Sequence, residues 1–116
     1  MMEPSSSKQV VLAISTTGSV REAERISKLL VENHLVACAN VIPSVRSFYW
    51  WEGKVCQDAE ALILMKTTTD KLEELKASLV RLHSYDVPEL IVTSIVDGLD
   101  PYMNWVVEVT HPEGSA

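Results

Sequence analysis

The chain has little of what usually announces a function. It carries two cysteines, Cys38 and Cys56, in 116 residues. One disulfide is arithmetically open to them, but secreted disulfide scaffolds are far denser in cysteine. Neither lies in a C-x-x-C pair, so a structural zinc site lacks its usual ligands. No apolar run approaches the ~20 residues of a membrane-spanning helix. Residues 1–8 are polar and serine-rich, without the basic and apolar regions of a signal peptide. A cytoplasmic location and a disordered tail over 1–8 are therefore expected. Positive charge is scarce: ten lysines and arginines stand against sixteen acids, for a net charge of −6. A duplex-binding surface needs a basic stripe to release counterions, so nucleic acid and anionic membrane are poor partners. An acidic surface suits cations instead. There is also no G-x-S-x-G, no P-loop and no H-E-x-x-H. No enzymatic activity is expected.

What is present is the pattern of a single domain over residues 9–110. Apolar residues make up 47% of the chain, enough for one small core. The β-branched run at 9–15 reads as a first strand. Ser19 and Glu22 form a capping box that opens a helix. Val20, Ala23, Ile26 and Leu30 give that helix an apolar face, and it should end near Asn33 and His34. A long second strand covers 37–50, with a bend, bulge or edge position expected at Pro43. Glu52, Gly53 and Lys54 supply a turn into a third strand over 55–67. Its centre, A-L-I-L-M at 61–65, does not alternate, which predicts burial on both faces, by helices on one side and a neighbouring subunit on the other. Asp70 and Glu73 form a second capping signature ahead of Leu72, Leu75, Leu79 and Leu82. A fourth strand is expected over 90–96. A third helix should be capped by Asp100, with Pro101 at its first position and Tyr102, Trp105, Val106 and Val109 on its apolar side. Residues 111–116 read as a frayed tail. The order β-α-β-β-α-β is that of a ferredoxin-like α+β sandwich with an added C-terminal helix.

Phe48, Tyr49, Trp50 and Trp51 stand together just before the turn at Gly53. A hairpin tip projects beyond a domain of this size, and exposed aromatic surface marks an interface. These four residues are the expected subunit interface, and any site is expected between subunits.

A resemblance rests on an ordered series of segments. They are A-C-A-N-V-I-P at 37–43, S-F-Y-W-W-E-G-K at 47–54, Glu60, K-T at 66–67, H-S-Y at 83–85 and P-E at 88–89, followed by Gly98, Tyr102 and Trp105. Over residues 9–109 the chain resembles the CutA divalent-cation tolerance family. The resemblance implies a tightly packed homotrimer in which the hairpin of one subunit extends the sheet of the next. It implies an architecture like that of PII signalling proteins, which bind effectors in clefts between subunits. It also implies binding of copper or another divalent cation. The chain departs from the family at H-S-Y, where the pattern usually reads H-P-Y. It also lacks the cysteine at the end of strand one and the second histidine before the turn that some bacterial members carry.

Several residues are candidates for chemistry. His83 and Glu89 flank one loop, and an imidazole with a carboxylate can hold copper or zinc. The alternative is a histidine stabilised by the helix C-terminus, with Glu89 paired to a lysine. Lys66, Tyr85 and Glu60 are the candidate ligand cleft. Lys66 is hard to bury unpaired, and Glu60 or Glu89 would be its partner; otherwise it meets a small anionic ligand. Asn40 is expected to bond backbone near Pro43. Cys38 reads as a buried thiol, Cys56 as accessible, and His34 and His111 as solvated. The run S-T-T-G-S at 15–19 offers an anion-binding helix start of the kind acylphosphatases use, but without their arginine.

Overall fold

A computed structural model describes residues 8–113. The β-branched run forms strand β1, Val10–Thr17. Helix α1, Val20–Glu32, starts at the predicted cap: the Ser19 side chain accepts from Glu22 N at 3.1 Å. Its apolar spacing buries Ala23, Ile26 and Leu30. Strands β2, Cys38–Trp51, and β3, Lys54–Thr68, form the long hairpin. Glu52 and Gly53 both have positive φ, 51° and 78°, between the paired residues Trp51 and Lys54. That is the two-residue turn whose twist matches a hairpin. The register shifts between Ile42 and Val45, so Pro43 sits in a bulge of an edge strand. Helix α2, Leu72–Leu82, strand β4, Ile91–Ser94, and helix α3, Asp100–Thr110, complete the chain.

The sheet order is β2-β3-β1-β4 with every neighbouring pair antiparallel, the ferredoxin-like arrangement. Helices α1 and α2 cover one face. Their Ile26, Leu30, Leu75 and Leu79 pack with Ala13, Ala61, Ile63 and Met65 into the main core. Strand alternation puts Val10 on the opposite face, where it packs with Ala37 and Val106 of α3. Beyond that small cluster the second face is open. Leu12, Ile14, Leu62 and Leu64 are half-buried, and Ile42 and Ile91 are exposed. The hairpin draws the molecule out to 54 × 26 × 23 Å.

Within one chain Ala61, Ile63 and Met65 are buried under the helices, as expected for the first face, while Leu62 and Leu64 on the second face, where a neighbouring subunit is expected, are half-covered because α3 reaches only one end of it. Several expectations need correction. Asp70 caps no helix. It lies in a 3₁₀ turn, Thr69–Lys71, and its carboxylate accepts from Thr68 Oγ1 at 2.6 Å and from His111 Nε2 at 2.7 Å. α3 begins one residue early, with Leu99 as its uncapped flank and Asp100 inside the first turn. β4 is shorter than expected because its pairing stops at Val11↔Ser94, near the start of β1. His111 is neither solvated nor frayed but buried. The remaining tail residues, 1–7 and 114–116, lie outside the described residues.

Candidate functional site

The sheet end opposite α3 carries a cleft of about 660 Å³ at the base of the hairpin. Thr16 enters from the end of β1 and Glu60 from β3. The hairpin contributes Arg46, Phe48, Tyr49 and Trp51. The loop after α2 contributes Tyr85, Asp86 and Glu89. That loop is held from three sides. Arg25 Nη2 donates to Leu82 O at 3.0 Å, at the end of α2. Ser84 donates its backbone N–H to Glu22 Oε2 at 2.8 Å and its hydroxyl to Glu22 Oε1 at 3.0 Å. Burial pushes the Glu22 carboxyl up, but the two Ser84 bonds lead the effects that outweigh it and hold it below the usual range. Tyr85 then lies so close to Gly18 that a Cβ there would stand 3.3 Å from its hydroxyl.

The structure brings Tyr85 and Glu60 together. The phenol donates to Glu60 Oε2 at 2.8 Å. Burial, then this bond and the Glu60 charge, push the Tyr85 phenol far above its ordinary range. Tyr49 likewise donates to Asp58, and that bond is the main cause of a phenol pushed up to about 12. Thr16 Oγ1 donates to Glu89 Oε1 at 3.4 Å.

Lys66 does not join this cleft. The register pairs it with Cys38 and Leu12, towards the α3 end of the sheet. Its ammonium donates to Asn40 Oδ1 and lies 3.8 Å from Cys38 Sγ. The expected pairing with Glu60 or Glu89 is thus replaced by a cross-strand amide, and Asn40 serves this lysine rather than the backbone near Pro43. Cys38 is half-buried, not fully buried, and both cysteines are free. Tyr102 of α3 meets Cys38; burial, then the thiol, raise its phenol.

His83 and Glu89 meet through Thr16. His83 Nε2 lies 2.7 Å from Thr16 O, while Glu89 holds the hydroxyl of the same residue. The other ring nitrogen, Nδ1, accepts from Tyr85 N at 3.0 Å. A nitrogen that accepts carries no hydrogen, so the ring is the neutral tautomer with its hydrogen on Nε2. Both ring nitrogens are engaged, and the ring tilts against Tyr85 with centroids 4.7 Å apart. Among the described residues, no three histidine, cysteine or acidic side chains converge as a metal cage. In the hydroxyl-rich run at 15–19, Thr17 Oγ1 donates to Ser19 O at 2.7 Å and Ser19 caps α1, while Ser15 Oγ is buried without a hydrogen-bond partner among the described residues.

Sequence reasoning missed Thr16, Arg46, Asp86 and Asp58. Thr16 had a signal, since it lies in the polar run already singled out. Arg46 and the acids had none, because only the folded hairpin brings 46–51 beside 85–89.

Comparison with known proteins follows the same outline. Residues 11–109 match the family model described as CutA1 divalent ion tolerance protein. A divalent-cation tolerance protein CutA from Thermus thermophilus is 42% identical over 103 residues, covering 89% of this chain and 98% of that protein. A chloroplastic protein CutA from Arabidopsis thaliana is 38% identical, covering 94% of this chain and 60% of its own length. The structure titled the periplasmic divalent cation tolerance protein CutA from Archaeoglobus fulgidus superimposes with a TM-score of 0.86 at 34% identity, covering 89% of this chain and all of that one. Those two names place relatives in the chloroplast and the periplasm, so a cytoplasmic location is not a property of all relatives. Among the described residues, no helix is long and apolar enough to cross a membrane. Sequence, topology and superposition agree over the same span: the chain belongs to the CutA1 divalent ion tolerance protein family.

Proposed function

We propose that the chain works as a homotrimer in the response to divalent cations, binding copper or a similar ion weakly. The observation that carries this reading is the hairpin. Phe48, Trp50 and Trp51 are 65%, 73% and 54% exposed, left largely uncovered by their own chain. The open sheet face and the β4 edge, with Val96 and Leu99 beyond it, leave further apolar surface uncovered. An apolar groove lined by Val80, Val87, Leu90 and Val92 runs along α2 and β4 and adjoins the hairpin cleft, with which it shares Asp86 and Val87. A hairpin from one copy seated on the edge and groove of the next is a head-to-tail contact, which closes into a ring when the rotation between copies is a whole fraction of a turn. Three copies satisfy the family resemblance. Cations meet an acidic surface, with Glu89 and His83 as first candidates. His83 joins a metal only if its ring leaves Thr16 O and Tyr85 N.

Sedimentation tests the assembly: wild type should run as a trimer. Truncating Trp50 and Trp51 to alanine should weaken it by about 2 kcal/mol or more per anchor. An unchanged profile for the double variant refutes the interface. Copper calorimetry on wild type, Glu89→Gln and His83→Ala assigns the ligands, and identical isotherms would remove both from the site.

A second reading is a PII-like trimeric sensor or scaffold whose cleft binds a small ligand or a partner protein. The cleft at Glu60, Tyr85 and Glu89 favours it. Thermal stabilisation by small molecules and not by copper separates it from the first.

A further inference from the structure

The hydrogen-bond inventory of the hairpin cleft decides what kind of ligand suits it. Three of its four hydroxyls point at carboxylates, Tyr85 at Glu60, Tyr49 at Asp58 and Thr16 at Glu89, and Ser47 is the fourth. Among the described residues of the lining, only Ser47 and Arg46 are left as hydroxyl or cationic donors for an anionic ligand. Acceptors outnumber them, namely the second oxygens of Glu60 and Glu89 and both oxygens of Asp86. Arg46 is the only cation in the lining, against three carboxylates. The other walls are the rings of Phe48, Tyr49, Trp51 and Tyr85. Aromatic faces attract cations, and most strongly cations that shed water readily. A small hard metal ion keeps its water and needs several converging ligands, which the described residues do not supply. An alkylammonium group needs none. Its N–H groups donate to carboxylates, and its methylenes lie against rings. A volume near 660 Å³ is that of a site for a small organic molecule.

We propose that this cleft is a receptor for a small organic cation, a protonated amine or diamine. Glu60, Glu89 and Asp86 take its N–H groups, and Phe48, Tyr49 and Trp51 enclose its carbon chain. The inference deepens the sensor reading and rests on it, but it reverses the sign of the ligand expected from sequence. That expectation placed Lys66 in the cleft, and the register sends Lys66 to Asn40 instead.

Three probes of one length and different charge test it: 1,5-diaminopentane, 1,5-pentanediol and glutarate. Each is titrated into the full chain, read by calorimetry and by the NMR shifts of the Trp51 indole and the Tyr85 amide. The diamine should bind saturably and shift both signals, while the diol and glutarate should do neither. Glu89→Gln should weaken diamine binding tenfold or more. Glu74→Gln, on the exposed face of α2, should leave it unchanged and so exclude general attraction to an acidic surface. Glutarate binding as well as the diamine overturns the proposal. So does diamine binding that ignores Glu89→Gln, and so does a cleft that takes no probe because a neighbouring hairpin fills it. Sedimentation and copper calorimetry on the same sample separate that failure from failure of the trimer or of copper binding. A sample that is trimeric and binds copper, yet ignores the diamine, refutes only the amine receptor.

Discussion

Replacing His111 with alanine should loosen the C-terminal helix more than any other single change outside the core. The last carbonyls of a helix have no intrahelical donors. In α3 they are answered one by one. Val106 O accepts from Thr110 Oγ1 at 2.8 Å, Val107 O from His111 Nδ1 at 2.7 Å, Glu108 O from His111 N at 3.1 Å, and Val109 O from His34 Nδ1 at 2.9 Å. The other ring nitrogen of His111 lies 2.7 Å from Asp70 Oδ2. Both nitrogens face acceptors, so both contacts are made in full only when both carry hydrogens. Truncation leaves a helix carbonyl and a carboxylate oxygen without their donor. Hydrogen bonds to charged groups contribute about 1.5–3 kcal/mol. The Asp70 side chain is 27% exposed and keeps Thr68, so water replaces part of the loss. The expected cost is about 2 kcal/mol, or about thirtyfold in the opening of α3. Native-state hydrogen exchange of the α3 amides reads this directly, and exchange rates within twofold of wild type would refute the reasoning. A cycle with Asp70→Asn should show coupling of about 1 kcal/mol. The pH dependence has a defined sign. Burial raises the Asp70 carboxyl, but the bonds from His111 and Thr68 and the His111 charge outweigh it, so its folded pKa lies below the ordinary value. Its contribution therefore disappears as pH falls through the lowered value.

Two further perturbations test other parts of the fold. Gly53→Ala meets no neighbour within 4 Å but must hold φ at +78°, so it should destabilise the hairpin by about 1 kcal/mol in denaturant unfolding; a stabilised variant would refute the turn assignment. Glu22→Gln should flatten the acid limb of the stability profile as pH falls through and below the ordinary carboxyl range, because the lowered folded pKa of Glu22 gives stability that protonation removes; an unchanged limb would mean that Ser84 does not anchor the loop through this carboxylate.

The element order, the capped first helix, the hairpin and its aromatic tip were legible in the chain, because each depends on neighbours a few residues apart. Val20, Ala23, Ile26 and Leu30 declare a helix wherever they occur, and Glu52-Gly53 declares a tight turn. The family was legible too, from short segments in a fixed order. Partnerships across the sheet were not. Which side chain reaches Lys66 from β2 depends on strand register, where a slip of one residue turns every side chain to the other face. His111, read as part of a loose tail, became a buried clamp because α3 folds back over Val10 and carries it to Asp70. The charge of the cleft likewise arises only when residues 46–51 and 85–89, far apart in the chain, close on each other. Local periodicity determined the elements and the exposed aromatic tip. Long-range pairing alone decided which acids, hydroxyls and rings share a space, since that juxtaposition leaves no trace in spacing along the chain.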